Sequence, residues 1–452
     1  MRIIIVGGGV VGSSLAEQLI PNGHQLSLIE TDPRLSQILS EKLDVQIITG
    51  SGSSPKFLHE AGIMEADMII AVTPNDEINI VACALAAQYG VGRRIARLRD
   101  RVYSEKSKIV DLEKLGITSV IHPEKALVNH VLQFLATPHA VEVADFENGR
   151  ILFRGYRITK DMAIANKTPL EIRQEIQSNT ILFAAIVRDG KGMIPGGDTL
   201  ILPGDIVYVL FPRESVELFL HLVNVEYKKR RKIIITGDCF STLELAQALD
   251  NTDNTITLVD PDLEHAQKAA QMFTNVQVLH GDCTDVDLLR EQNVDSASFF
   301  IGISNADDYN MFSTLLAKAE GAREVIAIST ETHHDKLFNS IGIDHVSNPR
   351  VITAREILEI VTLGQIGAVV QLSDVDIEAV RFTVESGSEI ANRQVKKIAR
   401  KLKRKSIIGM VVRGNKMILP DGETVIEEED HVIMITRHKN LPPLAKLFKG
   451  HL

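Results

Sequence analysis

The chain has 452 residues, a formal net charge of -10 and three cysteines, a length that allows roughly three or four domains of about 100 to 150 residues, each able to bury its own core. The acidic balance, the absence of tryptophan and an aromatic content of 5% exclude general nucleic-acid binding, which needs a basic surface for phosphates and aromatic faces for bases. Cys83, Cys239 and Cys283 are widely spaced and odd in number, a pattern of free thiols in a reducing cytosol and not of a disulfide framework or a CxxC metal site.

The N-terminus, MRIIIVGGG, reads as a strand running into a glycine turn, without a charged leader, an apolar signal core or a cleavage site, so a cytoplasmic protein is expected. No run of about 18 apolar residues occurs, so membrane contact is expected only through a partner. Short β-rich runs follow at Arg2 to Val6, Gln25 to Glu30, Val45 to Ile48, Met68 to Val72, Arg94 to Leu98 and Thr118 to Ile121, with helical patterns between them. Six strands alternating with helices predict a doubly wound parallel sheet, a Rossmann-type domain N1 over residues 1–125. The helical VNHVLQFL and short alternating strands broken at PGG and PGD then predict a small α+β module, C1, over 140–226.

The whole pattern then repeats. RIIIVGGGVVGSSLAEQL returns as KIIITGDCFSTLELAQAL, with Gly7 answering Gly237 and Glu30 answering Asp260, and AVTPNDEIN returns as GISNADDYN. VRDGKGMIPGGDTLILPGDIVYVL is answered by VVRGNKMILPDGETVIEEEDHVIMI. The order is therefore N1, C1, N2 (230–352) and C2 (366–452): an α/β chain of two Rossmann domains, each followed by a small α+β domain. The basic run Lys228 to Lys232 marks the join and reads as a solvated linker.

Gly7, Gly9 and Gly12 form a GxGxxG that follows a predicted strand and opens a predicted helix. The first glycine permits a tight turn, the second lets backbone approach a pyrophosphate, and the third lets helix and strand pack closely. With Gly8, Val10 and Val11, this turn offers the free N–H groups and positive dipole of a helix start to a phosphate. Glu30 ends the next strand, where a carboxylate accepts hydrogen bonds from ribose hydroxyls and repels a 2′-phosphate, favouring NAD(H) over NADP(H). An adenine mononucleotide, ATP or ADP, satisfies the same ribose contact.

Thr73, Asn75 and Asn79 after the fourth strand, and Arg97 with Arg99 at the end of the fifth, are further ligand candidates at the same sheet edge. In N2 the glycines at the second and third motif positions are replaced by Cys239 and Thr242, and no arginine stands opposite Arg97, at Ala327 or nearby. Asp260 survives as a cofactor-binding candidate, and Ser304, Asn305, Asp307 and Asn310 survive beside it, so N2 is expected either to hold a smaller adenosine ligand or to be empty and structural, with dinucleotide binding weakened or absent. His333 and His334 are adjacent and share no helix face, which argues against a metal site. His122 has no acid/base constellation around it, so no catalytic residue is assigned. Lys396, Lys397, Arg400, Lys401, Lys403, Arg404 and Lys405 read either as a solvated helix or as a contact for an acidic surface or anionic lipid.

With the glycine turn, Glu30, AVTPNDEIN, Arg97 and IHPEKAL in place, the chain resembles the TrkA family over essentially its full length. These are peripheral subunits of bacterial Trk potassium-uptake systems, built from tandem regulator-of-potassium-conductance (RCK) N and C domains. The resemblance implies a cytoplasmic ring, a homotetramer, docked on the inner face of the membrane to a TrkH- or TrkG-type potassium transporter. It also implies NAD(H) and adenine nucleotides as regulatory ligands and no enzymatic activity. Relatives commonly carry Gly-Asp after the third strand, whereas here Gly50 precedes Ser51; the acid is kept in the second half as Asp282. The alternatives are an NAD-dependent oxidoreductase, which the fold alone permits, and a sensor subunit of another cation transporter.

Overall fold

The runs Ile3 to Val6 and Met68 to Ala71 are continuously apolar and buried, as central strands must be when helices cover both faces of a parallel sheet. A computed structural model describes residues 1–450 except 21–22, 104–108, 179, 227, 251, 332, 363–368, 373–374 and 403–405. The start expected for C2, residue 366, and the basic residues Lys403, Arg404 and Lys405 lie outside the described residues. In N1 the elements are β1 (Arg2–Val6), α1 (Val10–Leu19), β2 (Gln25–Glu30), α2 (Pro33–Lys42), β3 (Gln46–Thr49), α3 (Pro55–Glu60), β4 (Met68–Ala71), α4 (Asp76–Gln88), β5 (Arg93–Arg97), β6 (Ser119–Ile121) and α5 (Pro123–Ala136). The sheet order is β3-β2-β1-β4-β5-β6, all parallel. Strand order reverses between β1 and β4, which opens a crevice at the carboxyl ends of these two strands.

C1 contains β7 (Glu142–Phe146), β8 (Ile151–Arg157), α6 (Pro169–Ile176), β9 (Leu182–Arg188), β10 (Lys191–Met193), β11 (Ile206–Pro212) and α7 (Val216–Leu222), with the sheet order β10-β9-β11-β8-β7. N2 repeats the N1 layout with β12 (Lys232–Thr236), α8 (Phe240–Leu249), β13 (Thr255–Asp260), α9 (Leu263–Met272), β14 (Val276–His280), α10 (Val286–Glu291), β15 (Phe299–Gly302), α11 (Asp307–Ala319), β16 (Glu324–Ile328), α12 (His334–Ser340), β17 (His345–Ser347) and α13 (Pro349–Thr362). Its order is β14-β13-β12-β15-β16-β17. C2 has β18 (Val369–Gln371), β19 (Glu378–Thr383), β20 (Arg393–Gln394), α14 (Val395–Leu402), β21 (Ser406–Arg413), β22 (Lys416–Ile418), β23 (Val425–Ile426), β24 (His431–Thr436) and α15 (Leu441–Phe448). Its main sheet runs β18-β19-β24-β21-β22, and β20 pairs with β23.

Like packs with like: one compact unit holds residues 1–129 and 232–358, the other 130–231 and 359–452. Within the second unit, Phe146, Phe153, Tyr208 and Leu210 of C1 share one hydrophobic core with Met410, Ile433 and Ile435 of C2. The expectation that each small module buries a core of its own is therefore corrected for this face, which the two copies complete for one another. Glu147 of C1 reinforces the junction by accepting from His431 Nδ1 at 2.9 Å and from Arg381 at 3.1 Å. Each module also carries the same internal brace, Arg188 bidentate on Asp205 and Arg413 bidentate on Asp430. Among the described residues, no helix is long and apolar enough to cross a membrane.

Candidate functional site

The crevice beside β1 is built by backbone before any side chain enters it. Gly7 has φ +105°, a left-handed conformation that glycine adopts without strain, and its N–H donates to Ile29 O at 2.8 Å. A Cβ on Gly12 would penetrate the Gly7 carbonyl, so the third glycine is demanded by the packing of α1 on β1. Gly9 differs. A Cβ there would meet nothing within 4 Å, and its φ of -60° suits any residue. The protein itself thus gives no reason for glycine at position 9, and the open space above it is where a bound phosphate would need the backbone bare. Gly9 is also the N-cap of α1 and supplies no capping side chain, so the first-turn N–H groups at Val10 and Val11 lack the usual intrahelical acceptors.

Glu30 stands over this turn, fixed by backbone. One carboxylate oxygen accepts from Gly8 N–H at 2.6 Å, the other from the N–H groups of Thr31 at 2.6 Å and Asp32 at 2.9 Å. These bonds aim the carboxylate and lock it to the glycine turn, the arrangement expected of a ribose acceptor.

The loop after β4 comes close on the other side: a Cβ on Gly7 would lie 3.1 Å from Thr73 N. Asn75 caps α4 by accepting from Ile78 N–H at 2.8 Å. Asn79, expected as a ligand contact, does a different job. It is fully buried, accepts from the N–H and hydroxyl of Thr73 at 3.0 and 2.8 Å, and donates to Thr73 O at 3.0 Å and Arg97 O at 2.8 Å. All of its amide capacity ties the end of β4 to the end of β5, so it positions Thr73 and Arg97. Asn310 makes the same four bonds to Ser304 and Ile328 in N2, which identifies Ile328, one residue beyond Ala327, as the counterpart of Arg97.

Arg97 carries the electrostatic tension of the site. Its Nε is buried and has no hydrogen-bond partner among the described residues. Burial first, then the neighbouring Arg99, pushes its pKa down to about 10; Arg350 of N2 acts in the same direction, while Glu124 and Asp76 oppose it. Arg99 turns to Glu124 at 3.5 Å.

In N2 the equivalent space is filled. Thr242, in place of the third glycine, donates to Ile303 O at 2.7 Å, and the Cys239 thiol donates to the same carbonyl at 3.2 Å. Asp260 is fully buried, accepts from Asp262 N–H at 2.9 Å and is paired with His265. Its carboxylate is thus committed inside the protein where that of Glu30 faces the turn. Sequence reasoning missed His265, although its position five residues after the acid places it on the first turn of α9, within reach of the strand end.

The TrkA-N domain family matches residues 3–123 and 233–349, and the TrkA-C domain family matches 153–224 and 379–449. The Trk system potassium uptake protein TrkA of Haemophilus influenzae is 31% identical over 99% of this chain and 99% of its own. The chain belongs to the TrkA family. A second TrkA, from Azorhizobium caulinodans, is likewise 31% identical over 100% of this chain and 99% of its own. Among solved structures, the GsuK channel bound to NAD shares the fold with a TM-score of 0.60 at 17% identity, over 99% of this chain and 78% of that one. The tandem Rossmann and C-domain layout expected from the sequence is thus the architecture of this TrkA-family chain.

Proposed function

We propose that this TrkA-family chain is a cytoplasmic regulatory subunit that binds NAD(H) and adenine nucleotides in its first Rossmann domain and thereby gates potassium uptake through a TrkH- or TrkG-type membrane protein. The observation that carries this reading is the contrast between two copies of one loop. In N1 the loop leaves Gly9 bare, the helix start uncapped and Glu30 aimed; in N2 the same loop is closed by Cys239 and Thr242. The residues present fit a dinucleotide: the Gly7–Gly12 turn would hold the pyrophosphate and Glu30 the adenosine ribose. Asp260, Cys239 and Thr242 leave N2 as a structural partner without a dinucleotide of its own.

The mechanism is a shift of populations, because a ligand moves an equilibrium only by its differential affinity for the two states. Arg97, Arg99 and Arg350 bring three cations to the seam between N1 and N2 against Glu124 and Asp76. Arg97, whose buried Nε has no partner among the described residues, would take a phosphate chain, and the added negative charge would favour packings that bring the arginines together. The subunits assemble as a homotetrameric ring on the inner face of the membrane, so a change at this seam is passed to the docked transporter. Potassium uptake, not catalysis, is the role that the names of the relatives support.

The test is titration of the purified chain with NADH, NAD, ATP and ADP, followed by thermal shift, beside potassium uptake in cells lacking the gene. Ligand-dependent stabilisation and impaired uptake are expected. No affinity for any of the four, or normal uptake, would sink the proposal.

A further inference from the structure

The two copies of the small C module part company at one helix. α14 (VKKIARKL) holds the place in C2 that α6 (PLEIRQEI) holds in C1, and each leads into the strand that ends in the bracing arginine, Arg413 or Arg188. Where the fold needs an anchor the two agree, since Ile398 and Ile172 are both buried. The outward residues reverse their charge. α6 carries Glu171 and Glu175 with one Arg173, whereas α14 carries Lys396, Lys397, Arg400 and Lys401 and no acid. At helical spacing these four fall on one arc, opposite Ile398 and Leu402, which pack in the C2 core with Val411 and Val432.

Helix physics does not ask for this arc. Arg400 and Lys401 in the last turn suit the negative end of the helix dipole, but Lys396 and Lys397 lie in the first turn, where a cation faces the positive end. In α6 the residue at the place of Lys397 is Glu171, which closes a capping box with Thr168. Lys397 gives that box up. Nor are the cations used up in ion pairs. Lys396 meets Glu423 at 2.7 Å and Lys401 is paired with Glu389, two pairs open to solvent and of small net worth. Lys397 and Arg400 are exposed and unpaired among the described residues.

α14 exposes no large apolar side chain, so it lacks the aromatic or aliphatic anchor that centres a fitted protein interface. Long cationic side chains on a rigid base, with no anchor among them, suit a fluid anionic surface. We infer that the cationic arc of α14 is a docking surface for an anionic lipid bilayer, so that this chain touches the membrane directly as well as through the transporter proposed above. The apolar side of α14 is committed to the core, so nothing inserts, and the contact is electrostatic, reversible and weakened by salt. It requires neither nucleotide nor transporter and goes beyond the nucleotide reading of N1.

Sedimentation of the full chain with lipid vesicles, without nucleotide or transporter, tests this. Wild type is expected to pellet with vesicles containing phosphatidylglycerol, to ignore phosphatidylcholine alone, and to be released by salt. Each basic side chain near an anionic surface strengthens partition about five-fold, so Lys397→Gln combined with Arg400→Gln should weaken binding about thirty-fold. Lys397→Arg combined with Arg400→Lys keeps the charge and should keep the binding, which separates lost charge from a folding defect. Arg173→Gln combined with Lys191→Gln removes as much charge from exposed positions of C1 and should change nothing. No wild-type binding to the anionic vesicles, equal losses in the C1 and C2 variants, or full binding by the Lys397→Gln, Arg400→Gln chain overturns the proposal. Retention on immobilised poly-glutamate without any binding to vesicles overturns it as well and assigns the arc to an acidic protein.

Discussion

Replacing Gly9 by cysteine copies the loop of the second domain into the first and separates a ligand's need for glycine from the protein's own. A Cβ at position 9 meets nothing within 4 Å and the backbone there is ordinary, so the cost is confined to a poorer helix N-cap, below about 1 kcal/mol. At a ligand concentration a hundred times Kd, binding stabilises the wild type by about 2.7 kcal/mol, which for a unit of this size raises Tm by roughly 5 to 10 °C. In Gly9→Cys the unliganded Tm should barely move while the NAD-dependent rise disappears. Gly12→Ala provides the opposite pattern: its methyl group enters the Gly7 carbonyl, and forcing α1 off β1 should cost about 1 to 3 kcal/mol without any ligand. Differential scanning fluorimetry with and without NAD reads both effects. A full NAD-dependent rise in Gly9→Cys would refute the assignment of the glycine turn as a phosphate cradle.

Arg97→Ala should flatten the difference between ATP and ADP in potassium flux measured in reconstituted vesicles; an unaltered difference removes Arg97 from the response. Asn79→Ala deletes four hydrogen bonds to groups at the ends of β4 and β5 and should cost about 2 to 4 kcal/mol in a urea melt, since the stranded buried groups lose their partners, with Asn310→Ala costing a similar amount. Glu356 on α13 is pushed up to about 7 by burial, with only Lys125 of α5 opposing. The folded state therefore holds its proton where the unfolded chain has released it, so stability falls as pH rises from about 4.5 to 7. Glu356→Gln should abolish that fall and leave a chain about 3 kcal/mol more stable at pH 8; parallel stability curves for variant and wild type would count against it.

The glycine turn, Glu30 and the duplication were legible because each is local: residue types at fixed offsets, repeated 230 residues on. The role of Asn79 was not, because an asparagine after a strand reads equally well as ligand contact, cap or clamp. The signal was nonetheless present. Asn79, Ala82, Cys83 and Ala86 fall on one stripe of α4 and are all buried, so helical periodicity alone places Asn79 inward. The fate of Asp260 depended on one side chain, His265, turning back from α9, and no spacing rule forces that turn. The shared core of C1 and C2 was hidden for another reason. IVYVLFP on β11 is buried at nearly every position, a sign of a sheet covered on both faces, but sequence does not say what covers it.

That shared core ties the fate of the two halves together. A cut in the link at residues 228–231 would not release two independent proteins, because Phe153 and Tyr208 on one side and Ile433 and Ile435 on the other would each be laid open to water. The chain is in effect an obligate heterodimer fused at the gene, and fusion frees one copy from symmetry. On the proposed reading, its second Rossmann domain could give up dinucleotide binding while the first kept it, an asymmetry that a pair of identical separate chains has no means to acquire.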